Sequence, residues 1–434
     1  MNLNKIKQTN KGITLIALVI TIIVLLVLAG ITIATLTGEN GILTKATQAQ
    51  KNTILSQEEE IIKLAVASTQ TDLEEDINVF KLQEELQKNT KNSKVTINAD
   101  GSFNILFEDT SHNFNLKNNV ITLVDSDNTM AIFDIGSNVV QKIYSQAIDG
   151  IVGTTAPYVW NLSINAIRRA DEKPDLSNMT DANIVSWTDA YKIYEQNSDA
   201  YASIIPEGTT LCPIYIWFEE SGHTETRNIT GDNSLTPQLE KEVITGTIYW
   251  WSESNNVFLN FDSSYMFTNM PYLSDISGLK GLRTDFCTNM ENILSTTLGI
   301  NKSLKDISSL INWNTSNVTD MKYAFAGNAY LNDINPLKYW NTSKVINMCA
   351  MFGGDYDYVA CKLTSLTSLK NWDVSNVLDM SYMFFGCNTL TDVSAINDWD
   401  ITNVTNFTNM FPSNIHPEFT KISGTWSNGT FIPQ

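Results

Sequence analysis

The sequence predicts an α/β chain in three parts: an apolar N-terminal helix able to span a membrane, a small α+β unit, and a C-terminal solenoid of turns about 27 residues long. Three observations predict it. No charged residue lies between Lys11 and Glu39. Alternating apolar residues flank an Asp-Gly turn in VTINADGSFNILFED. The phrase WNTSNVTDMKYAF at 313–325 returns as WDVSNVLDMSYMF at 372–384.

The apolar run at 13–37 exceeds the roughly 20 residues a helix needs to cross a bilayer. Lys5, Lys7 and Lys11 precede it, so the short N-terminus is expected in the cytoplasm and the chain beyond residue 38 outside. This places the protein at the cell membrane and cell surface, with its bulk extracellular. The spelling KG followed by ITLIALVITIIVLL resembles the class III leader of type IV pilin-like proteins. That resemblance implies a prepilin-type leader at 1–12, a prepilin peptidase as processing partner, and a cut between Gly12 and Ile13 that leaves a methylated Ile13. The family carries a Glu where this chain has Ala17, and that Glu pairs with a neighbouring subunit's amine in filaments. Ala17 therefore argues against a major filament subunit.

Residues 38–125 read as a helical stalk and a small α+β unit similar to a pilin headgroup. Ile54, Ile61, Leu64 and Ala65 recur at helical spacing, with Glu58, Glu59 and Glu60 as a solvated face. A second helix is expected from Leu73 to Gln87. Val95 and Ile97 before the Asp-Gly turn, and Phe103, Ile105 and Phe107 after it, alternate as strands do.

Residues 126–249 give mixed signals. QKIYSQAIDGIV reads as helix and DEKPDLSNMTDANIVS as loop. CPIYIWFEES and GTIYWWSESNNVFLNF, rich in aromatic and β-branched residues, read as strands, with GHTETRNITGDNSLTPQ a loop between them. Trp217, Trp250 and Trp251 offer a sugar-stacking platform or core packing; alternation along a strand favours core.

From 250 to 434 the chain repeats. Leu304, Ile307, Leu310, Trp313, Val318, Met321 and Phe325 are matched by Leu331, Ile334, Leu337, Trp340, Val345, Met348 and Phe352. Leu363, Leu366, Leu369, Trp372, Val377, Met380 and Phe384 follow, then Leu390, Val393, Ile396, Trp399, Val404, Phe407 and Phe411. A degenerate unit starts at Leu273 and ends at Leu294. Each unit spans 21 residues from first landmark to last, with longer connections only after Leu294 and Phe352. Asn317 with Asp320, and Asn376 with Asp379, have the spacing of a helix start. Val318, Met321 and Phe325 then fall on one face of a short helix. One unit cannot bury its apolar face alone, so neighbours are expected to stack and pool these residues as core.

The phrase N-V-T-D-M-x-x-x-F after W-[ND]-x-[ST] resembles the BspA-like leucine-rich repeat family of bacterial surface proteins, over about 250–434. It implies an extracellular leucine-rich-repeat-like solenoid used for surface interactions. The family supplies no catalytic residues.

The function classes narrow accordingly. A formal charge of −19 sets nucleic-acid binding aside. Cys212, Cys287, Cys349, Cys361 and Cys387 form no CxxC and read as small buried hydrophobes, and with only His112, His223 and His416 no metal site is expected. No cofactor loop or catalytic motif is present, so no enzyme activity is expected. Asp355 and Asp357 read as an exposed acidic insertion rather than a calcium loop. What remains is adhesion or recognition of a surface protein or polysaccharide, with a minor pilin or pseudopilin subunit as the alternative. Specificity is expected where the units differ: Lys322 against Ser381, Asn328 against Asn388, and the two insertions.

Overall fold

The computed structural model describes residues 42–69, 77–124, 129–133, 163–175, 209–229, 239–268, 270–296, 303–353 and 362–434. The chain divides into a unit ending at Ser68 and a unit from Thr69 to Gln434. The described part of the first is helix α1 (Ile42–Thr69). Its buried stripe is Ile62, Ala65 and Val66, whereas Leu64 is exposed, a shift of one position from the expected stripe at its C-terminal end.

In the second unit, helix α2 (Val79–Gln87) is shorter than its apolar pattern suggests because Asn78 fixes its start. The Asn78 side chain accepts from the Phe80 and Lys81 N–H groups and donates to the Ile311 carbonyl, while the Val79 N–H reaches Asn312. One residue thus caps the helix and ties it to the repeats. The meander β1 (Ser93–Ile97), β2 (Phe103–Phe107), β3 (His112–Lys117) and β4 (Val120–Val124) is antiparallel in chain order. Val95, Ile97, Phe103, Ile105 and Phe107 are buried as the alternation requires.

Strands β5 (Thr129–Phe133), β7 (Thr210–Leu211) and β10 (Val257–Leu259) form one sheet in the order β10-β5-β7. Strands β6 (Ile164–Arg169), β8 (Ile214–Ile229) and β9 (Leu239–Ser252) form another, in the order β6-β9-β8. The expected loop after Ser221 is therefore strand as far as Ile229, since Thr224 to Ile229 pair with Leu239 to Ile244. Trp250 is fully buried in the core, whereas Trp217 and Trp251 lie on the opposite face, paired across strands with Tyr249 and Tyr215. The segment QKIYSQAIDGIV lies outside the described residues.

The expected α/β class, with a membrane-spanning helix and a leucine-rich-repeat solenoid of strand and helix, is overturned. The regular structure is mostly strand in small mixed sheets, with two α-helices among the described residues and no solenoid sheet. No helix of the described residues is long and apolar enough to cross a membrane; the run at 13–37 lies outside them. The repeats stack, but with other local structure than predicted. Each I-x-x-L-x-x-W stretch holds a 3₁₀ turn, such as Ser308–Leu310 and Thr367–Leu369, because an apolar residue every third position suits three residues per turn. The expected short helix at Val318, Met321 and Phe325 is absent. The backbone there makes a single parallel bridge and then turns left-handed at Tyr323 (φ 57°). That positive φ breaks the extended geometry after the bridge, so no regular strand or helix propagates.

Coil-to-coil bonding is nonetheless regular. The Met321, Tyr323 and Phe325 N–H groups donate to the Asn347, Cys349 and Met351 carbonyls at 2.9–3.0 Å. The bridges run Asp262, Asn289, Asp320, Asn347, Asp379 and Asn406, which defines six coils. Inside, Phe325, Phe352 and Phe384 stack at 5.6 and 5.7 Å, and Trp313, Trp340 and Trp372 at 6.3 and 6.5 Å. Each indole N–H also donates to a carbonyl of the preceding coil: Trp340 to Leu310, Trp372 to Leu337, Trp399 to Leu369. Buried donors thus keep a partner, which removes the desolvation penalty of a polar group in an apolar core. Strand β10 pairs onward to the second coil, its Leu259 N–H donating to the Arg283 carbonyl at 2.7 Å. At the other end the hairpin β11 (Gly424–Ser427) and β12 (Thr430–Pro433) packs Phe431 and Trp426 against Phe411 and Phe407.

Candidate ligand-binding face of the repeats

The sixteen residues expected as repeat core, namely Trp313, Val318, Met321, Phe325, Trp340, Val345, Met348, Phe352, Trp372, Val377, Met380, Phe384, Trp399, Val404, Phe407 and Phe411, are all buried. None is available to a ligand. Gly12 and Ile13 lie outside the described residues, as do Cys361, Asp355 and Asp357. The outward positions of the same repeats are what a ligand can meet.

Each coil presents short rows that align with those of its neighbours. The bridge residues form the central row, and each is an Asp or Asn because its side chain closes a turn on the N–H two residues later. Asp320 accepts from Lys322, Asn347 from Cys349, Asp379 from Ser381 and Asn406 from Thr408. Asp and Asn alternate strictly from coil to coil, so Asn347 donates to Asp320 at 3.2 Å and Asn406 to Asp379 at 3.1 Å. Alternation keeps carboxylates off adjacent coils, where like charges would repel. Burial holds the Asp320 carboxyl above its ordinary range, Glu291 adding to this against the Lys322 backbone N–H.

One residue earlier runs a row of Thr319, Ile346, Leu378 and Thr405, joined by backbone bonds of 2.8–2.9 Å. Ile346 and Leu378 are 46% and 45% exposed, adjacent apolar side chains on an otherwise polar strip. A further row is held by amides: Asn376 donates to the Ser343 carbonyl and Asn403 to the Ser375 carbonyl, both at 2.7 Å. Asn317 does the same toward Asp285 instead of capping a helix, and Lys344 takes the equivalent place in the fourth coil, donating to Asn317.

Of the positions expected to carry specificity, Lys322 is half-buried beside Glu291 at 3.3 Å and Asn388 is exposed. Ser381 is buried against Asp379 and Cys349, and Asn328 is fully buried, donating to the Leu294 and Phe325 carbonyls. Those two differ between coils for packing reasons. Sequence reading did not single out Ile346 or Leu378, and it took Asp320 and Asp379 for helix-start acids rather than for members of a row whose signal is an Asp or Asn directly before each Met or Phe landmark.

The remaining chemistry is sparse. Cys212, Cys287, Cys349 and Cys387 are buried and form no disulfide with one another. Burial pushes Cys287 up to about 12, far from a reactive thiolate. Among the described residues no group of His, Cys, Asp or Glu is placed to hold a metal ion. Asp285, pushed up by burial but pulled down further by the charge and hydrogen bonds of Arg283 and by Asn314, ends below the ordinary carboxylate range. It lies in the second coil beside Arg283, whose guanidinium sits 4.3 Å over the Phe258 ring.

A family model described as "Mycoplasma protein of unknown function, DUF285" matches residues 261–360 and 355–428, less than half of the chain. Both matches fall on the stacked coils, so this region is similar to that family. No curated protein and no solved structure matches.

Proposed function

We propose that this is a bacterial cell-surface recognition or adhesion protein that binds a large, extended ligand along the outward rows of its stacked coils. One observation carries the reading: the exposed strip repeats the same side-chain positions from coil to coil, with Ile346 and Leu378 left open among Thr, Asn and Asp residues. A surface built by repetition meets a ligand at many equivalent points, which suits long partners better than small ones. The resemblance to BspA-like surface proteins and the positively flanked apolar run at 13–37 support an outward location held through the N-terminus. Prepilin peptidase is its proposed processing partner, acting between Gly12 and Ile13.

The test is a binding screen of the full-length protein against arrays of matrix proteins and polysaccharides, with an Ile346→Glu, Leu378→Glu variant alongside. Binding that disappears in the variant while its thermal unfolding stays unchanged supports the reading. Hits that persist in the variant move the function off this face. The alternative, a minor pilin or pseudopilin subunit, rests on the leader-like spelling at 5–37. Mass spectrometry of the surface fraction discriminates it: a mature chain starting at Ile13 supports processing, and an intact leader removes it.

A further inference from the structure

The meander β1–β4 has two edges, and the chain treats them differently. At β1 the outward backbone groups are already taken. The Gln83 amide of α2 donates to the Ser93 carbonyl at 2.7 Å and accepts from the Val95 N–H at 2.5 Å, as a neighbouring strand would. Exposed Lys94 guards the same strand. Strand β8, at the edge of its own sheet, carries exposed Glu219, Glu220 and Glu225. Among the described residues β4 has neither device. It reads VITLV, without charge, proline or glycine, and Val120 and Leu123 are 60% and 52% exposed.

The β3–β4 turn fixes which groups of β4 are open. Asn118 and Asn119 are both left-handed, at φ 49° and 63°, which is a type I′ turn closed by Lys117 and Val120. That closing pair exchanges both of its hydrogen bonds, and by alternation so do Asn115 with Thr122 and Asn113 with Val124. The N–H and C=O groups of Ile121 and Leu123 therefore point away from β3. Their side chains stand opposite buried Leu116 and Phe114 and continue that apolar face onto β4. Charge is polarised along the strand. At its turn end Lys117 and Lys280 line one cavity with a single carboxylate, Asp100. At the other end stand the exposed Glu108 and Asp109 of the β2–β3 turn, and Asp125 and Asp127 follow in the sequence.

We propose that β4 is the docking surface for β4 of a second copy of this chain, added antiparallel about a two-fold axis at Thr122. In that register Ile121 exchanges both hydrogen bonds with Leu123 of the other copy, Thr122 faces its own counterpart, and Val120 faces Val124. Ile121 and Leu123 of both copies then share one apolar patch. Antiparallel addition sets the basic end of each strand beside the acidic end of the other, whereas parallel addition sets like charge on like. A strand complementary to itself makes an isologous contact, which closes at two copies and does not propagate.

The test is oxidative cross-linking of full-length protein carrying Thr122→Cys and Cys361→Ser, the other four cysteines being buried. Facing residues of a non-hydrogen-bonded pair have Cα atoms about 4.5 Å apart, within reach of a disulfide. Most of this variant is expected to run as a covalent dimer on a non-reducing gel and as monomer after reduction. Val120→Cys in the same background lies about 13 Å from its own counterpart in this register. It is expected to stay monomeric alone and to cross-link when mixed with the Val124→Cys variant. Adding Leu123→Lys, which sets a charge in the pairing, or Leu123→Pro, which deletes an outward N–H and spares the β3 ladder, should abolish the Thr122→Cys dimer with thermal unfolding unchanged. Equal dimer from Val120→Cys and Thr122→Cys is random collision and overturns the proposal. So does a dimer that survives both Leu123 variants, or no dimer at all. If the same oxidation on intact cells joins Thr122→Cys to a different protein, the edge belongs to that partner and the second copy is ruled out.

Discussion

The meander β1–β4 and the stacked coils both bury alternate or regularly spaced apolar residues, yet they are held by different means. In the meander, each strand pairs with the next over five consecutive residue pairs, and side chains from Val95 to Leu116 differ freely. In the coils, neighbours share isolated bridges and a few regular backbone hydrogen bonds, and like side chains align into columns of Trp and Phe beside a row of alternating Asp and Asn. A continuous backbone ladder tolerates varied letters. Coils joined by isolated bridges lean on matched side chains at the same place in successive coils, which is why one phrase recurs in the sequence.

Substitutions should separate the two regions. Phe352→Ala removes the centre of the phenylalanine column and leaves a cavity among fully buried neighbours, so denaturant unfolding should show a loss of about 3–5 kcal/mol. Ile105→Val, equally buried in the meander, should lose only about 0.5–1.5 kcal/mol by the same measurement. Trp340→Phe keeps a ring but strips the donor from the Leu310 carbonyl, and about 1–3 kcal/mol should go. Smaller again is Asn347→Asp, which sets a carboxylate between Asp320 and Asp379 and turns a donor into an acceptor. Its melting temperature should fall below that of the parent protein and recover partly in high salt.

Acid gives the smallest, graded effect. Asp285 is held below its unfolded range, so its contribution is complete above about pH 4 and is lost as the pH falls through its lower folded value. Asp373, Asp392 and Asp400, lowered by hydrogen bonds from Ser375, Ser394 and Thr402, act in the same direction. Asp320, raised by burial, opposes them slightly, since its protonated form is favoured in the fold. Denaturation midpoints measured from pH 6 to pH 2 should therefore decline below about pH 4, and Asp285→Asn should flatten the decline.

Much of this was legible in the letters. Leu304, Trp313, Met321 and Phe325 announced the repeat and its core, and Val95 to Phe107 announced the first hairpin. The local structure of a coil was not legible, because Val318, Met321 and Phe325 fit a helical face as well as they fit a bridge and a left-handed turn. What decides between them is Tyr323, whose positive φ no propensity predicts for an aromatic residue. The outward face was hidden for a related reason. Periodicity within one coil reveals what faces inward, whereas the alternation of Asp320 with Asn347, and of Tyr323 with Ala350, appears only when whole coils are compared in pairs.

Native-state hydrogen exchange across the coils tests the central claim most directly. The amides of Met321, Tyr323 and Phe325, and of their counterparts Met348, Ala350 and Phe352, all bond to the following coil. If coil-to-coil backbone bonds and side-chain columns hold the stack as one cooperative body, these amides exchange together at the free energy of global unfolding. Phe352→Ala then lowers all of them by the same amount. Exchange that opens coil by coil, with the variant affecting only its own neighbours, contradicts the account.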